Sequence, residues 1–241
     1  MILLISDVHG FFGVVNDQIR HAEETFGKLV EHVVVLGDFG LFSSKLDRFF
    51  DYQKRSFLRP VSFLDGNHEE FERFSELLET YSLHFSHMAR GTIHQLCGHS
   101  CICLGGSSFL DVLNTPEKAE IKDHEIDQCL AFKPSDGEIF LTHDSPRGIG
   151  VPHSQRWDIN GPTGFARSRE LLEHFSPRLW IFGHHHQWFD RQLQGTRFLG
   201  LPISWEGYAI LGEDFNLNPV KHVVKPEQPI LRRWFGGLLG G

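Results

Sequence analysis

The sequence predicts an α/β fold, and three observations predict it. Short apolar runs alternate with stretches of helical period through the first third of the chain. The connections between them are short. Several apolar runs end in a polar residue that can bind a metal or an anion. Such alternation argues for parallel pairing with right-handed crossovers. Ligand-binding side chains in such sheets sit at the carboxyl ends of strands.

Ile2 to Ile5 is a continuous apolar run, suited to a strand buried on both faces, and it ends at Asp7-Val8-His9-Gly10. Val14 to Phe26 has the period of an amphipathic helix. Glu31 to Leu36, with its β-branched Val33-Val34-Val35, is a second strand ending at Gly37-Asp38. Ser43 or Ser44 caps a second helix reaching about Phe57. Val61 to Leu64 is a third strand, ending at Gly66-Asn67-His68-Glu69. Glu69 opens a third helix to Leu83, where its carboxylate meets unpaired N–H groups.

The middle changes character. Thr92 to Leu96 and Ser100 to Leu104 form two strands around a Gly-His turn, and Pro116 to Leu130 is helical in part. Glu138 to Leu141 is a strand ending at Thr142-His143-Asp144. Ser145 to Phe165 is rich in Gly, Pro and Arg, and a loop of that length is more often functional than decorative. Ala166 to Phe175 is a helix. Leu179 to Phe182 is a strand ending at Gly183-His184-His185-His186. Then Trp188-Phe189, Arg197 to Leu199 and Tyr208 to Leu211 read as short antiparallel strands joined by tight turns. The expectation is one domain over 1–241, with a core over 1–211 and an extension over 212–241 that ends in a packed or frayed tail.

Composition sets outer bounds. The 241 residues are 40% hydrophobic and 22% charged, enough for one large domain with a real core. A net charge of −8 disfavours broad, unspecific nucleic-acid binding. The four cysteines lack paired Cys-x-x-Cys hooks and read as reduced core thiols. The N-terminus has no positive region and no cleavage site, so it reads as a strand and not a secretory signal. No stretch approaches the roughly 20 apolar residues of a membrane span. A soluble, cytoplasmic protein without membrane contact is expected.

The strand ends carry the chemistry. Five apolar runs end in Asp7 and His9, Asp38, Asn67, His143, and His184 with His186. In an extended chain residues i and i+2 point the same way, so Asp7 and His9 share a face, as do His184 and His186. His185 points away and receives no role. Two carboxylates, one amide oxygen and four imidazoles exceed the needs of one ion and suit two. Mixed N/O ligation favours Mn, Fe, Zn, Co or Ni over Ca.

These motifs, in this order, resemble the calcineurin-like metallophosphoesterases. The family signature is Asp-x-His, Gly-Asp, Gly-Asn-His-Asp/Glu, His, and Gly-His-x-His. The chain carries Asp7-Val8-His9, Gly37-Asp38, Gly66-Asn67-His68-Glu69, His143 and Gly183-His184-His185-His186, a likeness over residues 1–211. The resemblance implies a four-layer α/β/β/α sandwich of two mixed sheets flanked by helices. It implies that Asp7, His9, Asp38 and His186 hold one divalent ion, and Asp38, Asn67, His143 and His184 a second, with manganese the first choice. A hydroxide shared by the ions would attack phosphorus. His68, kept free of metal, would bind phosphate and protonate the leaving oxygen.

Protein serine/threonine phosphatases of this fold carry Gly-Asp-x-x-Asp-Arg-Gly and Arg-Gly-Asn-His-Glu. Here the matching stretches are Gly37 to Phe42 and Asp65 to Glu69, and both Arg are absent. Thr142 to Gly148 resembles the fourth motif of phosphodiesterases, including lariat-RNA debranching enzymes, and Arg147 is the arginine expected to line the cleft. The implied substrate is a phosphodiester or small nucleotide, with short nucleic acid in the same class. Phosphomonoesters, including phosphoproteins, are the alternative. A catalytically silent binding scaffold is the alternative of another kind.

Overall fold

The computed structural model describes residues 1–108, 115–153 and 163–227. The first sheet contains β1 (Ile2–Ile5), β2 (His32–Leu36), β3 (Val61–Leu64), β4 (Ser86–His87), β11 (Gly207–Leu211) and β12 (Leu217–Lys221), in the order β12-β11-β1-β2-β3-β4. The second contains β5 (Thr92–Leu96), β6 (His99–Leu104), β7 (Ile139–Thr142), β8 (Leu179–Phe182), β9 (Phe189–Leu193) and β10 (Thr196–Gly200), in the order β5-β6-β7-β8-β10-β9. Both are mixed. β1, β2 and β3 run parallel while β11 lies antiparallel to β1.

The strand period of two sorts the apolar side chains into layers. Leu3, Ile5, Val33, Val35 and Phe63 face outward, under helix α1 (Phe12–Phe26). Ile2, Leu4, Val34, Leu36 and Leu64 face inward and meet Cys101, Cys103, Leu141 and Ile181 of the second sheet. Ile102, Phe140, Trp180 and Phe182 face the other side, where α4 (Asp123–Leu130) and α5 (Ser168–Phe175) contribute Ile126, Cys129, Leu171 and Phe175. Three apolar seams separate four layers, the sandwich expected from the motifs. Buried Cys101 and Cys129 have thiols pushed up to about 12 by burial, as core groups should.

Several elements depart from the sequence reading. α1 begins at Phe12, two positions before Val14. Neither Ser43 nor Ser44 is the cap: α2 (Ser43–Leu46) starts inside Phe42 and runs into a π-helical turn, Asp47–Tyr52. The third helix does not start at Glu69. Glu70 is non-helical, a 3₁₀ turn covers Phe71–Arg73, and α3 is confined to Phe74–Thr80.

The last strands are not one antiparallel meander. β9 and β10 form a hairpin, but β10 also pairs parallel with β8, and β11 crosses to the first sheet. β12 falls beyond residue 211 and closes that sheet's edge. Its Pro219 sits on this outer strand, where no further neighbour needs the N–H that proline lacks. Part of the expected 145–165 loop, Arg156 with it, and the expected tail over 228–241 lie outside the described residues. Among the described residues no helix is long and apolar enough to cross a membrane.

Candidate metal centre

The carboxyl ends of β1, β2, β3, β7 and β8 meet at one rim. Backbone bonds lock the first two ends together: Asp7 N–H to Gly37 O at 3.1 Å, His9 N–H to Asp38 O at 2.8 Å, and Gly10 N–H to Phe39 O at 3.0 Å. Asp7, His9, Asp38, His184 and His186 all have positive φ, between 48° and 65°. These candidate ligands therefore leave their strands in left-handed turns, not in the extended alternation that the sequence suggested. Left-handed backbone costs an L-residue about 1–3 kcal/mol, and such strain concentrates at functional sites. Two glycines let the turns close. A Cβ on Gly66 would stand 2.1 Å from Asp38 Oδ1, and one on Gly183 would stand 1.6 Å from Ser6 Oγ.

The first group is tight. Ligand atoms of Asp7, His9, Asp38 and His186 all lie within 4.8 Å of one another. His186 Nε2 is 3.0 Å from Asp7 Oδ1 and 3.4 Å from His9 Nε2. Asp7 is fully buried; burial alone would raise its carboxyl, but the imidazoles of His186, His143 and His9 hold it far below the usual range. Its other oxygen accepts the Ser6 hydroxyl at 2.5 Å and the His184 backbone N–H at 3.1 Å.

The second group is joined through His143. Its Nδ1 donates to the Leu36 carbonyl at 2.8 Å, the usual outer support of a metal-binding imidazole, which turns Nε2 towards the rim. That nitrogen faces Asn67 Oδ1 at 3.1 Å and Asp38 Oδ1 at 3.4 Å. A buried imidazole nitrogen beside an amide oxygen and a carboxylate oxygen is a mixed N/O donor set, and that set fits a metal ion. His184 joins through its ring, 4.9 Å from that of His143 between centroids. Burial pushes the His184 imidazole down to about 4, which keeps it neutral and able to ligate.

Asp38 faces both groups. One oxygen lies towards His143 and the other 3.8 Å from His9. Burial works to raise its carboxyl, and His143 and His9 outweigh it, so the group stays ionised below its ordinary value. The His68 backbone N–H donates to Asp38 Oδ1 at 2.8 Å, while the His68 ring stands exposed at the rim, 5.5 Å from the His9 ring.

The surrounding shell holds residues that sequence reading did not assign. Glu69 does not serve its own helix. Its buried carboxylate accepts the backbone N–H groups of Phe39, Gly40 and Leu41, the loop that presents Asp38. Burial, then the Asp38 charge, pushes its carboxyl well above the usual range, and those N–H groups oppose that shift. His185 turns from the ligands to Ser145 Oγ at 3.0 Å and Asp144 Oδ1 at 3.2 Å. Asp144 also accepts the Ser108 N–H and hydroxyl and the Ser145 N–H. Its place beside His143 was the available signal.

Asp65 is buried and binds Arg90 at 2.6 Å and His87 at 3.0 Å. Arg147, the arginine expected to line the cleft, donates its Nε to the Gly164 carbonyl at 3.1 Å and its backbone N–H to Ser168 Oγ.

A sequence profile of calcineurin-like phosphoesterases matches residues 1–188. No curated protein matches the chain. Among solved structures, TT1561 of Thermus thermophilus superposes with a TM-score of 0.58 at 14% identity, covering 91% of this chain and 97% of that one. A putative 5′-nucleotidase from Staphylococcus aureus gives 0.52 at 15% identity, over 93% of this chain and 53% of the other. Phosphopantetheinyl hydrolase from Mycobacterium tuberculosis gives 0.50 at 13% identity, over 91% and 95%. At such identities the likeness is one of fold.

Proposed function

The chain belongs to the calcineurin-like phosphoesterase family, and from that premise we propose that it hydrolyses a phosphodiester or small nucleotide with two divalent metal ions. The observation that carries this reading is Asp38, which stands between two donor groups and presents an oxygen to each. Asp7, His9, Asp38 and His186 would hold one ion. Asp38, Asn67, His143 and His184 would hold the other. Manganese is our first choice for this N/O donor set, with Fe, Zn, Ni and Co in the same class. Two such ions, when bound, would supply an activated water and neutralise phosphoryl charge.

The chain's own residues do the rest. Asp7 and Asp38 stay ionised in a buried rim, so the centre is preset for cations. His68 has its ring exposed among these motif residues, free to contact phosphate and give a proton to the leaving oxygen. Its backbone N–H bond to Asp38 fixes where that ring starts. The position before Gly66 favours a diester: where protein phosphatases of this fold carry an arginine, Asp65 is buried against Arg90. Four free thiols accord with a cytoplasmic setting, which we include in the proposal.

Metal content and hydrolysis of mono- and bis-p-nitrophenyl phosphate test the reading together. The expected result is two ions per chain and faster turnover of the diester. Two bound ions with neither ester hydrolysed would overturn it in favour of a silent scaffold.

A further inference from the structure

A second recess opens next to His9, lined by Gly10, Phe11, Lys45, Arg48, Gln53 and Arg55. We propose that it is a second phosphate subsite, and that the substrate is a phosphodiester carrying a further terminal phosphate. The inference rests on the hydrolase reading and names the substrate class more closely.

Charge makes the first argument. Lys45 and Arg48 lie three residues apart, across the junction of α2 with its π-helical turn, so their side chains share a face. Among the described residues neither has a carboxylate partner, and the Lys45 ammonium rests over the Phe11 ring at 5.2 Å. The third cation, Arg55, holds the Glu227 carboxylate through both its terminal nitrogens at 3.0 Å. The recess thus already receives an oxyanion, supplied by the chain. Its other carboxylate, Asp17, is bound to Arg20 at 3.0 Å. Three cations face two carboxylates here, in a chain whose net charge is −8.

Position makes the second argument. Lys45 packs so closely on Gly10 that a Cβ there would stand 2.9 Å from its Cγ. Gly10 follows His9 directly, so the cations are anchored beside the first metal group. Helix α1 begins in the same recess with no side chain capping its first turn, which adds a partial positive charge.

The test compares thymidine 5′-(p-nitrophenyl phosphate) with the same ester carrying a 3′-phosphate. The native protein is expected to prefer the 3′-phosphorylated ester in kcat/KM by about tenfold, the scale of a charge-assisted contact. The double variant Lys45→Met, Arg48→Gln is expected to lose that preference, and Glu227→Gln to enlarge it by freeing Arg55. A preference that survives the double variant, or no preference at all, overturns the proposal. Calorimetric titration of thymidine 3′,5′-bisphosphate into chelator-treated protein separates the two readings. If neither ester is hydrolysed, the hydrolase reading fails. Binding that drops about tenfold in the double variant still supports the recess, and equal binding to both proteins sinks it.

Discussion

Glu69 reaches across the rim to Phe39, and its Oε1 accepts the Phe39 backbone N–H at 2.8 Å. Oε2 takes the Gly40 N–H at 3.0 Å, so one buried carboxylate clamps the turn that follows Asp38. Glu69→Gln would set an NH₂ group against those donors. The expected cost is about 1–3 kcal/mol of stability, for leaving buried groups unpaired. Manganese affinity should fall by about 10–100-fold, as for other lost supports of a ligand. Urea denaturation and calorimetric metal titration measure the two effects, and unchanged affinity counts against the clamp.

Asp38 and Asn67 differ in reach. Asp38 faces both donor groups, while Asn67 stands with His143 in the second. Asp38→Ala should therefore empty both positions, and Asn67→Ala should leave one ion per chain. Elemental analysis after gel filtration gives the stoichiometry. Equal losses in the two variants would argue against the shared carboxylate.

His68→Ala removes an exposed ring but keeps the backbone N–H bond to Asp38. Metal content should hold at the native level while turnover of an activated diester drops by about 10²–10⁴, the range for general acid help. Native turnover in this variant would remove His68 from the mechanism.

Burial by itself would raise the Asp65 carboxyl, yet Arg90 and His87 bring it down from 3.8 to about 2. Its folded value is below its unfolded one. The ion pair therefore stabilises fully above pH 3.8, and the contribution is lost as the pH falls through about 2. Asp65→Asn should cost about 3–5 kcal/mol near neutrality, because Arg90 stays buried without its main partner. The gap between variant and native protein should narrow in acid. Denaturation of chelator-treated protein at neutral pH and near the Asp65 transition checks this, and a constant gap would assign the stability elsewhere.

Removing the metal should also show in stability. The rim gathers buried Asp7 and Asp38 with four imidazoles, and ions that bind only the folded chain stabilise it by mass action. Manganese at 100 times its Kd should add about 2.7 kcal/mol, and excess chelator should take it away. A melting temperature indifferent to both would mean that the ligands do not bind the ion.

The strands were legible where short apolar runs stand between polar residues. Val61–Leu64 and Leu179–Phe182 have the bounds expected of them. β4 is two residues long and offers no period to detect. Tyr208 to Leu211 is apolar throughout, so nothing in its pattern says that it leaves the β9–β10 neighbourhood to lie against β1. The candidate ligands were legible as polar endings of apolar runs, but the turns that aim them were not, since Asp and His tolerate left-handed backbone yet adopt it too seldom for Asp7, His9 and Asp38 to announce it. Glu69 reads locally as a helix start, because its partners are thirty residues upstream. Asp65 reads as a substitution in a motif, and only the fold brings Arg90 to it.

Asp7 and His186 lie 179 residues apart in the chain, and β1 has β11 as its neighbour. During synthesis, then, the first carboxylates leave the ribosome long before His186, the imidazole that completes their group. Until β11 arrives, β1 is an open edge of an apolar parallel sheet, the kind of surface that pairs with other chains. Pairings of such long sequence separation also make folding slow. The nascent protein therefore passes through a stage that invites chaperone binding, and the proposed metal loading would belong to the end of folding and not to its beginning.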